Sequence, residues 1–139
     1  MLVRLLTLSI LAALASHATA SCDVPDSLVK QTMINVADPH YSPSNPNAGN
    51  LLRLKLDEGR YQLEVLGTES VSSGEYTYRK YAPDLGQLVM HEVYQGAPVD
   101  YTLTLVCETH RRGTFVFSQQ SGPIKPDVRQ NTGRYTLSH

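Results

Sequence analysis

The chain has 139 residues, with 12 lysines and arginines against 13 aspartates and glutamates, and 41% of its residues are hydrophobic. That length supports one domain with its own core. A net charge of −1 offers no basic surface for nucleic acid or an anionic membrane. No segment approaches the ~20 consecutive apolar residues of a spanning helix.

Residues 1–20 have the pattern of an export signal. Arg4 supplies the positive start, Leu5 to Ala15 the apolar stretch, and Ala18-Thr19-Ala20 the small residues before a cleavage point. The expected mature chain is residues 21–139, secreted or periplasmic. Cys22 follows the apolar run closely enough to raise lipid attachment as a rival. Against it, Thr19 stands where a lipobox has a branched aliphatic residue, and Ser21 precedes the cysteine.

Asp23 to Val36 opens with Pro25-Asp26-Ser27 and carries Leu28, Val29, Met33 and Ile34 at mixed spacing. It reads either as a short helix begun at Asp26 or Ser27 or as a first strand from Lys30 to Val36. Asp38 to Asn50, rich in proline, asparagine and serine, is a loop. Strand alternation then starts. Leu52, Leu54 and Leu56 alternate with Arg53 and Lys55, and Asp57-Glu58-Gly59 turns the chain into Tyr61, Leu63 and Val65. Tyr76 and Tyr78 lead to a turn over Ala82 to Gly86. From Leu88 to Tyr94 two interleaved apolar sets compete, which predicts a bulge or a strand covering both faces. Gly96-Ala97-Pro98 turns into Tyr101, Leu103, Leu105 and Cys107, and the run ends with Phe115, Phe117, Tyr135 and Leu137. Residues 119–132, rich in Gly, Pro and Gln, read as a second long loop.

The fold expected is all-β, an antiparallel up-and-down meander of seven to eight strands closing into a small barrel or half-barrel; a sandwich is the alternative. One face of each strand is apolar and the other wet, as antiparallel sheets allow. Cys22 and Cys107 are the only cysteines. In an oxidising compartment an even pair reads as a disulfide, here tying the N-terminal segment to an inner wall. A metal site would need a third ligand at suitable spacing, and none is present.

The succession Gly74-Glu-Tyr-Thr-Tyr, Gly86-Gln-Leu, Tyr101-Thr-Leu-Thr-Leu and Gly113-Thr-Phe resembles the calycin-like barrels grouped with MoaF-like and lipocalin-like domains, small bacterial proteins that are often exported. The resemblance implies the barrel fold and is nearly silent on activity. The chain departs from true lipocalins in having no tryptophan, so their Gly-x-Trp signature is missing, and no catalytic residue carries over.

Little in the sequence points to catalysis. His40, His91, His110 and His139 form no metal-binding pair, and His91-Glu92 lacks a second histidine. Asp38-Pro39-His40-Tyr41 could seed a loop site, but lone loop histidines are mostly solvated. His110-Arg111-Arg112 reads as a hairpin tip. No nucleophile elbow, phosphate loop or dinucleotide fingerprint occurs, and Glu64, Glu75 and Glu92 are expected to point to water. The reading names no catalytic residue, metal ligand or cofactor.

The tyrosines are the better lead. Tyr61, Tyr76, Tyr78, Tyr101 and Tyr135 fall on the inner face, where five rings around one barrel mouth would hold an amphipathic small molecule. The plainer alternative has them capping the barrel ends with hydroxyls in water. The expected function is therefore non-catalytic binding of a small amphipathic ligand. One alternative is a protein-binding or inhibitor module using loops 38–50 and 119–132, and another is a small hydrolase or isomerase with its site in the barrel.

Overall fold

The computed structural model describes residues 22–139; the signal segment expected at residues 1–20 lies outside them. Eight strands follow in chain order: β1 Thr32–Ala37, β2 Leu51–Asp57, β3 Arg60–Val65, β4 Val71–Ala82, β5 Leu85–Tyr94, β6 Ala97–Thr109, β7 Arg112–Ser121 and β8 Arg129–Ser138. Each pairs antiparallel with the next, and β1 pairs with β8 from Thr32↔Ser138 to Ala37↔Gly133. The sheet therefore closes into a barrel and has no free edge, which excludes both the half-barrel and the sandwich.

The inner face carries the core. Met33, Leu54, Leu88, Met90 and Leu105 are fully buried, and Tyr61, Tyr76, Tyr101, Phe115, Tyr135 and Leu137 are nearly so. Burying side chains of this size contributes about 1.5–3 kcal/mol each, which is how a short meander offsets its backbone entropy. Glycines make room where rings cross the interior. A Cβ on Gly133 would run into the Phe115 ring and the Val36 carbonyl, and one on Gly86 into the Tyr78 ring. A strand glycine of this kind marks a close approach rather than a loop.

Because the strands alternate in direction, every other connection lies at the same end. The turns after β2, β4 and β6 share one end with the N-terminal segment. Val24 and Leu28 of that segment are buried, and the Val24 amide donates to the Pro83 carbonyl at 2.7 Å. Tyr78 donates its hydroxyl to the Pro25 carbonyl at 2.8 Å, and Lys80 pairs with Asp23 at 2.7 Å and Asp26 at 2.9 Å. The disulfide between Cys22 and Cys107, with a Cα–Cα distance of 5.9 Å, fixes this plug to β6. Since the Cys22 sulfur is bonded to Cys107, it is not available for a lipid thioether.

The structure decides one choice that the sequence left open and corrects two expectations. Of helix and first strand, the segment before Ala37 takes the strand: residues 27–31 form no helix but bend through Lys30, at a φ of 61°, straight into β1. β5 has neither a bulge in its middle nor two covered faces: its pairing with β6 is regular from Leu85↔Val106 to Tyr94↔Ala97, with Leu88, Met90 and Glu92 inward and Val93 67% exposed. The register shifts instead fall between Lys80 and Ala82, between Asp100 and Tyr101, and between Cys107 and Thr109. The segment 119–132 is not one loop. β7 and β8 continue to the pair Gln119↔Arg129, leaving only 122–128 as the connection. Polar residues on the inward positions here disguised two strand ends as a loop.

Candidate functional site

The connections after β1, β3, β5 and β7 gather at the end opposite the plug, and a cavity of about 360 Å³ opens beneath them. Its floor and walls are apolar, from Leu52, Leu54, Leu63, Leu103, Phe115 and Phe117. Polar side chains enter at a few points: Asn35 from β1, Glu92 from β5, Gln119 from β7, and Arg129 and Asn131 from β8. An apolar hollow with a few fixed polar groups is the usual composition of a small-molecule site, and the volume sits near the low end of the range of about 300–1,000 Å³.

Two loops frame the opening. In residues 38–50, buried Asn45 donates to the carbonyls of Asp38 at 2.8 Å and His40 at 2.9 Å. The Asp38 amide donates to the Thr132 carbonyl at 3.0 Å, and Asn131 reaches the Ser44 carbonyl at 3.3 Å. The shorter connection 122–128 is held by Gln119, which donates to the Asp127 carbonyl at 2.9 Å. Both loops are thus tied down by side chains from strand ends.

The five tyrosines named from the sequence all face inward or pack against the core, but they do not meet at one mouth. Tyr101 lines the cavity. Tyr61 lies behind it and donates to Glu92 Oε2 at 2.6 Å, with its oxygen 3.0 Å from the Tyr101 hydroxyl. Since the single Tyr61 proton is committed to Glu92, Tyr101 donates to Tyr61. Ser72 adds a second donor to the same Glu92 oxygen, at 3.0 Å. Burial, reinforced by the neighbouring Glu92 charge, pushes both phenols well above their ordinary range. They stay protonated and act only as neutral hydrogen-bonding groups. Tyr78, Tyr76 and Tyr135 are not among the lining residues, and Tyr78 serves the plugged end.

Glu92 corrects an expectation. It points into the barrel rather than to water, because it continues the inward series Leu88, Met90, with Tyr94 after it. The opposite case is His91, outside on the same strand, 2.6 Å from Asp100. That pairing, joined by Ser121, holds the Asp100 carboxyl below its usual range. His40 is a solvated loop residue whose ring lies 3.0 Å from Asp38, away from the cavity lining.

Sequence reasoning missed Asn35, Gln119, Arg129 and Asn131. A signal for the last two was present: counting back in twos from Leu137 and Tyr135 passes Gly133 to Asn131 and Arg129, the same face of β8. Among the described residues no cluster of three histidine, cysteine or acidic side chains could hold a metal ion. No helix among them is long and apolar enough to cross a membrane. Comparison with known protein families, with curated proteins and with solved structures found no match for this chain.

Proposed function

We propose that this chain is an exported, non-catalytic binding protein for a small amphipathic ligand held in the barrel mouth. The observation that carries the reading is the cavity of about 360 Å³, apolar below and sparsely polar at its walls, under loops that are hydrogen-bonded in place. A preformed hollow of this kind loses little ordering entropy on binding. Export agrees with the disulfide, which persists in oxidising compartments. The calycin-like resemblance of residues 74–117 agrees with the closed antiparallel barrel. Of the five tyrosines, Tyr101 is the one the reading places against ligand, with Tyr61 setting the direction of its hydroxyl.

Native mass spectrometry of the protein purified from its exported fraction tests the proposal. The expected spectrum is oxidised protein carrying a discrete small-molecule adduct. Bare protein whose melting temperature stays unmoved by a panel of small amphiphiles would overturn it.

A second reading, a protein-binding module, is favoured by one feature. Tyr41, 78% exposed in the 38–50 loop, and Val128, 75% exposed next to β8, put an apolar side chain on each loop of the mouth. Recovery of a stoichiometric protein partner that is lost on changing Tyr41 to Ser would move the assignment there.

A further inference from the structure

Among the described residues, Arg129 is the only cation lining the cavity, and Glu92 the only carboxylate. Although Arg129 is just 6% exposed, no carboxylate among the described residues lies within ion-pair distance of it. Its protein partners are weak. One terminal nitrogen is 3.4 Å from the Ile124 carbonyl, the guanidinium carbon lies 5.6 Å from the centre of the Phe117 ring, and Nε has no partner. Buried arginines are ordinarily paired, because an unpaired one forfeits hydration without recovering it. Glu92 does not meet this need. It sits on β5, three strands away around the wall, and its Oε2 accepts from Tyr61 and Ser72.

A second lining group, further along the barrel, is also unmatched. Asn35, on the neighbouring strand β1, is 1% exposed, lines the same cavity and has an amide oxygen with no donor. Gln119, cross-strand from Arg129, already spends its amide on the Asp127 carbonyl. Arg129 on one wall and the Asn35 amide thus each keep an unmet polar atom beside an apolar floor.

Resting on the binding-barrel reading, we infer that the ligand is a compact amphiphile with a single anionic head group, bound by the Arg129 guanidinium while its apolar body lies against Leu54, Leu103 and Phe115. Burial also depresses the Arg129 pKa, the direction expected where a cation lacks a counter-charge. A fork of parallel N–H donors suits a carboxylate or sulfonate better than a neutral hydroxyl. The volume fits one short apolar chain or one ring system.

The test is calorimetric titration of the oxidised protein with octanoate and with octanol at neutral pH. The two share an apolar body and differ in head group. Octanoate is expected to bind about 10- to 100-fold tighter, the usual worth of a charge-assisted pair. Arg129→Met should abolish that preference, read as the octanoate-to-octanol affinity ratio, and Arg129→Lys, which keeps charge but not the fork, should fall between. Melting curves check that each variant is folded, and the octanoate-to-octanol ratio on the unaltered protein needs no variant. Equal affinities, or a preference that survives Arg129→Met, would overturn the anionic assignment while leaving the binding barrel standing. If neither probe binds, the binding-barrel reading itself fails and takes this inference with it.

Discussion

Removing the two coupled hydroxyls of Tyr61 and Tyr101 should give a pattern that only their chain of donors explains. Tyr101 donates to Tyr61, and Tyr61 donates to Glu92. Tyr101→Phe loses one neutral hydrogen bond and should cost about 1 kcal/mol. Tyr61→Phe costs more, for two reasons. It removes a charge-assisted bond to Glu92, worth about 1.5–3 kcal/mol, and it strands the buried Tyr101 hydroxyl, at about 1–3 kcal/mol more. The double variant escapes that second cost, because no hydroxyl remains to be stranded. It should therefore be more stable than Tyr61→Phe alone, so that one destabilising change partly rescues another. Urea unfolding followed by circular dichroism at neutral pH measures all four corners of the cycle, and equal slopes certify that midpoints report stability. A double variant less stable than Tyr61→Phe by the full cost of Tyr101→Phe would refute the donor order.

Two further outcomes follow from the plug and from the buried phenols. Replacing Cys22 and Cys107 by serine opens an 85-residue loop, and chain entropy puts the loss near 4.5 kcal/mol as an upper figure. A drop in urea stability below about 1 kcal/mol would show that the plug holds without its staple. Tyr78 and Tyr135 are pushed up to about 12 by burial, with Asp23 and Asp26 adding for Tyr78 against the lowering effect of Lys80. A phenol whose folded pKa is raised gives stability that is complete below its unfolded pKa, about 10, and is lost as pH climbs through the folded value. Between about pH 10 and 12 the urea midpoint should fall, by at most about 1.4 kcal/mol per pH unit for Tyr135 and less for half-buried Tyr78. Tyrosinate absorbance tracks the ionisation. A midpoint that stays flat across that window would contradict the burial assigned to these rings.

The strands with a wholly apolar inner face were legible from the sequence, and the reason is physical. β2, β3, β6 and the middle of β7 put an apolar side chain at every second position, because their inner face meets either core or the apolar part of the cavity wall. The site was illegible for the converse reason. Gln119, Arg129 and Asn131 occupy inward positions of β7 and β8, so the alternation there runs polar on polar and reads as a loop. Glu92 was assigned to water because a carboxylate is not expected on an inner face. Local rules failed where the wall of the cavity departs from core, which is where functional residues are expected to break them. Tyr76, Tyr78 and Tyr135 show the complementary error. Period two gives the face of a strand, but not the height along the barrel, so aromatic rings belonging to different depths looked like one cluster.

The plug at one end also has a kinetic meaning. With Val24 and Leu28 packed into that end and the segment covalently tethered, the proposed ligand would have to enter and leave through the opposite mouth. Entry and exit then cross the same barrier, set by the loops that Asn45 and Gln119 tie down. Loosening those ties speeds both crossings alike and leaves the equilibrium constant where it was, whereas changes in the cavity wall alter how long an occupant stays. The speed of exchange is thus set in the loop tethers, and affinity in the strands.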